Sequence, residues 1–189
     1  MNFAEYNVKD ANLEEVLLAL KSLNTVEAVA LGGSRSTGAS DENSDYDIYV
    51  YCAEIPTAET RENLLEKYCS IAEFGNHYWE SEDNTVMNNG IPVDIIYREV
   101  DRFGRYIDTV IKGGKAFNGY HTAFWHNIKN SKVLFDKTGT FTKFRNMAQI
   151  DFPENLRSAI IKNNRNLLNG KLPSYDRQIK KAQERGDIV

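Results

Sequence analysis

Eight consecutive residues set the terms for any fold this chain can adopt: Asp45-Tyr46-Asp47-Ile48-Tyr49-Val50-Tyr51-Cys52. The run is rich in β-branched and aromatic side chains and predicts a strand. Side chains on a strand alternate faces, so Asp45 and Asp47 project one way while Ile48, Val50 and Cys52 pack on the other. Two bare carboxylates on one strand face repel each other, and a hard divalent cation with oxygen preferences relieves that repulsion. Magnesium suits the pair better than zinc, because no His or Cys joins it.

Two further features converge on this pair. Asp94 stands within Ile91-Pro92-Val93-Asp94-Ile95-Ile96-Tyr97, flanked by Val93 and Ile95, which alternate away from it. An ionisable group there is costly without a partner. If this strand pairs beside the 45–52 strand, a third carboxylate reaches the same place. The other feature is Gly32-Gly33-Ser34-Arg35, directly after the short apolar strand Val26 to Leu31. Small residues let the backbone approach a ligand and turn successive N–H groups toward an anion. Ser34 adds a hydroxyl donor, and Arg35 a planar positive fork suited to phosphate, with a surface ion pair as its equal alternative.

Around this centre the sequence predicts alternating elements. Asn12 heads a helical stripe of Leu13, Val16, Leu17 and Leu20. Pro56 and Thr57 open a second helix, in which Leu64, Leu65, Tyr68 and Ile71 recur to about Phe74. His77 to Asp83 is acidic and aromatic, too polar to be core throughout, and reads as a loop or strand edge near a site. Asn89-Gly90 predicts a type I′ turn between strands at 85–88 and 91–98. A helix from Val100 to Val110 stops at Gly113-Gly114, a short helix follows over 120–130, and Val133 to Phe135 is a short strand. From 140 the pattern is helical: 140–147, 153–168 (ending before Gly170) and 174–185.

Composition narrows the function. The chain has 189 residues with 41% hydrophobic and 26% charged side chains, enough for one α/β unit and a small helical addition. A formal net charge of −4 argues against broad binding along a nucleic-acid backbone and favours a small-molecule or protein acceptor. Cys52 and Cys69 read as reduced core thiols of a cytoplasmic protein. No stretch approaches the ~20 apolar residues that span a bilayer, and Met1 to Asp10 lacks the pattern of an export signal. Gly113-Gly114-Lys115 is not a phosphate loop, since Ala116 replaces the required Ser or Thr and Thr109 the first Gly. His121 and His126 are spaced five apart and read as structural rather than as a metal pair.

Gly33-Ser34, ten intervening residues, and then Asp45-Tyr46-Asp47, with Asp94 on a later strand, resemble the signature of the DNA polymerase β-like nucleotidyltransferases. The match covers Leu31 to Gly38 and Asn43 to Ile48 most closely and is specific over about 26–98; its small antibiotic and minimal nucleotidyltransferase branches are the most similar. The resemblance implies an α+β fold, a twisted mixed sheet backed by helices and followed by a short helical C-terminal region. Residues 1–137 would be the catalytic domain and 138–189 the helical region, possible start of a truncated helical domain, with Asp187-Ile188-Val189 opening a further element. Gly33 and Ser34, within the Gly32 to Arg35 cradle, would hold the triphosphate of ATP or another nucleoside triphosphate. Asp45 and Asp47 would ligate two Mg2+ ions, and Asp94 the one on the acceptor side.

The implied reaction moves a nucleoside monophosphate, AMP from ATP, to a hydroxyl of a small molecule and releases pyrophosphate. Asp94, Glu80 or Glu82 would take the proton. Trp79, Glu80 and Glu82 would suit the pocket of a cationic acceptor, or form a solvated acidic loop. Two alternatives stand beside this reading: nucleotidylation of a protein or RNA, as in toxin-antitoxin minimal nucleotidyltransferases, and a non-catalytic nucleotide-binding module.

Overall fold

The computed structural model describes residues 9–37, 44–117, 122–169 and 174–187. Gly38, Asn43, His121, Gly170, Ile188 and Val189, named above, lie outside the described residues. The fold is the expected mixed α/β one: a six-stranded sheet with helices on both faces. In chain order the described elements are α1 (Ala11–Ser22), β1 (Val26–Leu31), α2 (Gly33–Thr37), β2 (Tyr46–Cys52), α3 (Ala58–Leu65), β3 (Cys69–Asn76), β4 (Ser81–Met87), β5 (Pro92–Glu99), α4 (Val100–Ile107), α5 (Ala123–Asn130), β6 (Lys132–Asp136), α6 (Thr140–Ala148), α7 (Glu154–Asn169) and α8 (Tyr175–Arg185). A 3-10 turn (Glu66–Tyr68) follows α3, and a π-helical turn (Asp108–Lys112) extends α4.

The strands lie in the order β3-β4-β5-β2-β1-β6. Only β2 and β5 run parallel; the other neighbours are antiparallel. Strand alternation sorts the side chains into two cores. Leu13, Leu17 and Leu20 of α1 and Leu65 of α3 cover Ile48, Val50 and Cys52 of β2 together with Val93 and Ile95 of β5. On the opposite face Tyr49, Tyr51 and Ile96 pack under α4, α5 and α6, with Phe103, Phe124, Phe141 and Phe144 in the layer. Tyr51 meets Phe103 and Phe141 at ring-centroid distances of 5.5 and 5.4 Å, tilted and edge-on, the offsets aromatic quadrupoles prefer. Leu156 of α7 joins this layer, whereas α8 contributes no buried side chain. Among the described residues no helix is long and apolar enough to cross a membrane.

Four local expectations need correction. The cap of α1 is Asp10, whose carboxylate accepts from the N–H groups of Asn12 and Leu13; Asn12 lies inside the helix. The second helix stops at Leu65, and Cys69 to Asn76 is an edge strand paired with β4. There the helical spacing of Tyr68, Ile71 and Phe74 was overridden by a sheet edge, and Ile71 is left 65% exposed. The chain after Gly32 is a short helix rather than an open loop. Finally, the β4–β5 connection is not a type I′ turn, which demands positive φ at two residues. Gly90 alone has it, at 84°, and no residue other than glycine does among those described. Gly90 N–H donates to the Met87 carbonyl and Met87 N–H to that of Ile91, so the loop is the three residues 88–90, a turn closed by a left-handed glycine.

The acidic 77–83 stretch also divides unexpectedly. Trp79 is exposed, but Asp83 is fully buried on the α1–α3 face and takes both Nε (2.8 Å) and Nη2 (2.9 Å) of Arg61. Gly75 N–H donates to the same carboxylate at 2.9 Å, and the Arg61 guanidinium lies 4.5 Å over the Tyr97 ring. Removing one member of such a pair strands a buried charge. Asp83→Ala is expected to cost about 3–5 kcal/mol, read as a lowered urea midpoint. Replacing Arg61 and Asp83 together with Met and Leu should recover most of that loss.

Candidate active site

The parallel pairing of β2 with β5 sets Asp47 directly beside Asp94 in register. Both lie on the α4–α6 face, because Ile48, Val93 and Ile95 turn to the other core. Asp45 precedes β2 on the same side and is exposed. The register thus brings together two of the three expected acids, Asp47 and Asp94, while Asp45 lies just before it, near enough for its charge to act on Asp47. Burial, then the charges of Asp45 and Asp94, push the Asp47 carboxyl up from 3.8 to about 6.

Gly33 brings the phosphate-cradle sequence against this cluster. Its φ is +59°, and a Cβ built there would run into the Asp47 carboxylate. Only glycine fits both the left-handed backbone and the contact. Gly32 N–H donates to the Asp47 carbonyl at 2.8 Å, and a Cβ on Gly32 would strike the Tyr49 ring. The cradle is thus clamped to the strand bearing the acids. Arg35 is occupied on the other side: its Nε donates to the carbonyls of Ser44 (2.8 Å) and Asp45 (3.1 Å), Nη2 also meets Ser44, and the guanidinium lies 4.1 Å over the Tyr46 ring.

Several site-face residues carry no motif. Asn84 of β4 is paired across from Asp94 and donates to its Oδ1 at 2.9 Å. Asn76 donates in turn to Asn84 Oδ1 at 2.8 Å, which fixes the orientation of the amide and leaves the other Asp94 oxygen uncommitted in this chain of bonds. Counting outward from the 88–90 loop pairs 84 with 94; a two-residue loop at 89–90 would have put Thr85 there instead. Glu82 occupies the same face one pair further along β4, and burial, then Asp94 and Glu80, raise its carboxyl above the ordinary range. Glu80 is fully engaged by Arg98, at 2.7 to 3.1 Å, while Arg98 also donates to the Tyr51 hydroxyl at 3.1 Å.

Beyond Gly33, a cavity of about 230 Å³ opens between Ser34, Ser36 and Thr37 on one side and His126, Asn127 and Asn130 of α5 on the other. Asn127 donates to the Tyr49 hydroxyl at 2.7 Å, so α5 is tied to the strand that carries Asp47. Among the described residues no three His, Cys, Asp or Glu side chains close into a ready-made metal cage. The donor set nonetheless fits a hard cation, with oxygen ligands only, and the Asp47 carboxyl is raised first by burial and then by its acidic neighbours.

The family model for a nucleotidyltransferase domain matches residues 13–117, which span α1 through the end of the site-bearing strands and beyond α4. No curated protein matches the chain. Among solved structures, a toxin-antitoxin complex with AMP-PNP is similar over 92% of this chain and 94% of its own, at 15% identity and a TM-score of 0.42. A mutant of the toxin-antitoxin MntA-HpeT is similar over 94% and 97%, at 13% identity and 0.41. Cid1 in complex with its short product ApU is similar over 53% of this chain and 34% of its own, at 18% identity and 0.36.

The raised Asp47 has a thermodynamic consequence. A carboxyl that titrates at 3.8 when unfolded and about 6 when folded binds its proton more tightly in the folded chain. Its ionised form therefore costs stability above pH 6, and the cost disappears below pH 4. With a metal chelator present, Asp47→Asn is expected to raise the melting temperature at pH 8 and to leave it unchanged near pH 4. An equal gain at both pH values would show that charge is not the cause.

Proposed function

The chain belongs to the nucleotidyltransferase domain family, and we propose that it transfers AMP from ATP to a hydroxyl of a small-molecule acceptor, releasing pyrophosphate. That it is a nucleotidyltransferase follows from the family; the nucleotide, the acceptor and the metal are this reading. The observation that carries it is the in-register pairing of Asp47 and Asp94 beside Gly33, whose missing side chain leaves room for the Asp47 carboxylate.

In this reading Gly32, Gly33 and Ser34 hold the triphosphate through backbone N–H groups and the Ser34 hydroxyl. Arg35 serves by securing the entry of β2, since its donors already meet the Ser44 and Asp45 carbonyls. Asp45, Asp47 and Asp94 would ligate magnesium, and Asn84 holds Asp94 in orientation. Two magnesium ions, when bound, would acidify the acceptor hydroxyl and neutralise the triphosphate and departing pyrophosphate. The acceptor oxygen forms a bond to the α-phosphorus as the bond to the β-phosphate oxygen breaks. Glu82 takes the acceptor's proton, its proton affinity raised by burial and by Asp94; Glu80 is excluded by its bonds to Arg98.

The acidic face around Asp45 and Glu82 favours a neutral or cationic acceptor over a polyanion such as RNA. Residues 1–137 form the catalytic unit of this proposal and 138–189 the helical addition, which α6 anchors through Phe141 and Phe144. Purified protein with magnesium and ATP should release pyrophosphate when supplied with hydroxylated small molecules. Asp47→Asn and Asp94→Asn should each lower that rate by at least about 100-fold. Turnover by either variant at the unaltered rate would refute the metal role, and label from ATP appearing on protein or RNA alone would refute the acceptor.

A further inference from the structure

Four strands contribute one row of side chains to the site face. Asp47 of β2, Asp94 of β5, Asn84 of β4 and Glu73 of β3 are successive register partners. Directly paired residues point to the same side of a sheet and lie within reach of one another. Asp94 is thus flanked by a carboxylate on one neighbouring strand and by an amide on the other.

The amides beside Asp94 can be arranged in only one way. An ionised Glu73 accepts and cannot donate, and Asn76 Nδ2 donates to its Oε2 at 3.3 Å and to Asn84 Oδ1 at 2.8 Å. Both hydrogens of that nitrogen are then used. With its oxygen taken by Asn76, Asn84 turns its own Nδ2 to Asp94 and donates to Oδ1 at 2.9 Å. The opposite orientation of the Asn84 amide would set its oxygen against a carboxylate oxygen. Carboxylates at the two ends, Glu73 and Asp94, therefore enforce a single direction of donation along the chain of bonds. The Asp94 carboxylate receives no other hydrogen bond among the described residues.

We infer that Asn84, locked by Asn76, is a positioning residue that confines Asp94 to one coordinating oxygen and so selects magnesium over calcium, a claim that rests on the magnesium site proposed above. A carboxylate that chelates through both oxygens must turn both toward the ion, and the bond from Asn84 to Oδ1 opposes that turn. Magnesium loses little by this, because it is small, keeps several waters in an octahedral shell and needs few carboxylate oxygens. Calcium takes about six to eight oxygens and readily fills its larger shell with bidentate carboxylates, so it forfeits a ligand. Asn76 has no bond to any of the three acids and acts through Asn84.

Calorimetric titration of the full chain with magnesium chloride or calcium chloride, without nucleotide, reads the effect as the ratio of the two dissociation constants. The unaltered chain should bind magnesium more tightly than calcium. Asn84→Ala, which releases Asp94 Oδ1, should weaken magnesium binding and shift the ratio toward calcium by at least about tenfold. Asn76→Ala should shift it in the same direction and add little when combined with Asn84→Ala, because the two act through one chain of bonds. Its place on the edge strand keeps the test open should Asn84→Ala fail to fold. A change that merely loosened the sheet would weaken both ions in proportion. An unchanged ratio in the folded variants therefore overturns the selectivity while the magnesium site stands, as does tighter binding of calcium than of magnesium by the unaltered chain. Binding of neither ion by the unaltered chain would sink the magnesium site and the selectivity together.

Discussion

The parallel contact between β2 and β5 is where this molecule commits itself. Every other strand pair in the sheet is antiparallel, and each could shift by two residues without changing which side chains face which core. The β2–β5 register has no such latitude, because Asp47 must meet Asp94 on one face while Ile48 meets Ile95 in the apolar layer on the other. A slip of one residue would drive two carboxylates into packed hydrocarbon and expose two isoleucines. The same pairing that fills the α1–α3 core therefore concentrates negative charge opposite it.

That concentration is balanced by how the remaining charges are distributed. The α1–α3 side carries one buried charged pair, Arg61 and Asp83, saturated by backbone and ring contacts. On the site side Arg98 is buried between the Tyr49, Tyr51 and Phe103 rings and neutralises Glu80. Among the described residues of this face, the carboxylates of Asp45, Asp47, Asp94 and Glu82 make no ion pair, and it is here that the proposed function sets magnesium and the proton acceptor. Stability is spent where ligands must later bind, a pattern expected of catalytic centres.

The strands that carry the acids were legible because their signals are local. Alternation in β2 and β5 identifies both the core face and the site face, and the Gly33 cradle follows from small residues after a strand. Legibility failed where a residue's role depends on a partner far along the chain. Asn84 becomes visible only once the hairpin loop is known to hold three residues, and a count off by one hides it behind Thr85. Asn127 matters through its bond to the Tyr49 hydroxyl, which ties α5 to β2 and which no spacing encodes. The helix wrongly extended through Ile71 shows the same limit, since an amphipathic period of three to four residues over a short stretch also fits an exposed edge strand. Strand order, on which the convergence of Asp94 depended, rests on tertiary pairing as well.

Arg35 has an implication for how such a chain can change over time. By gripping the carbonyls of Ser44 and Asp45 from the end of α2, it sutures together the two banks of the stretch that separates the cradle from the acids. The spatial offset between those banks then owes little to the number of residues spanning the gap. Lengthening the span twofold would add only about 0.6 kcal/mol of closure entropy. A change in the number of residues between Arg35 and Ser44 would therefore leave the start of β2, and the carboxylates that follow, where Arg35 holds them.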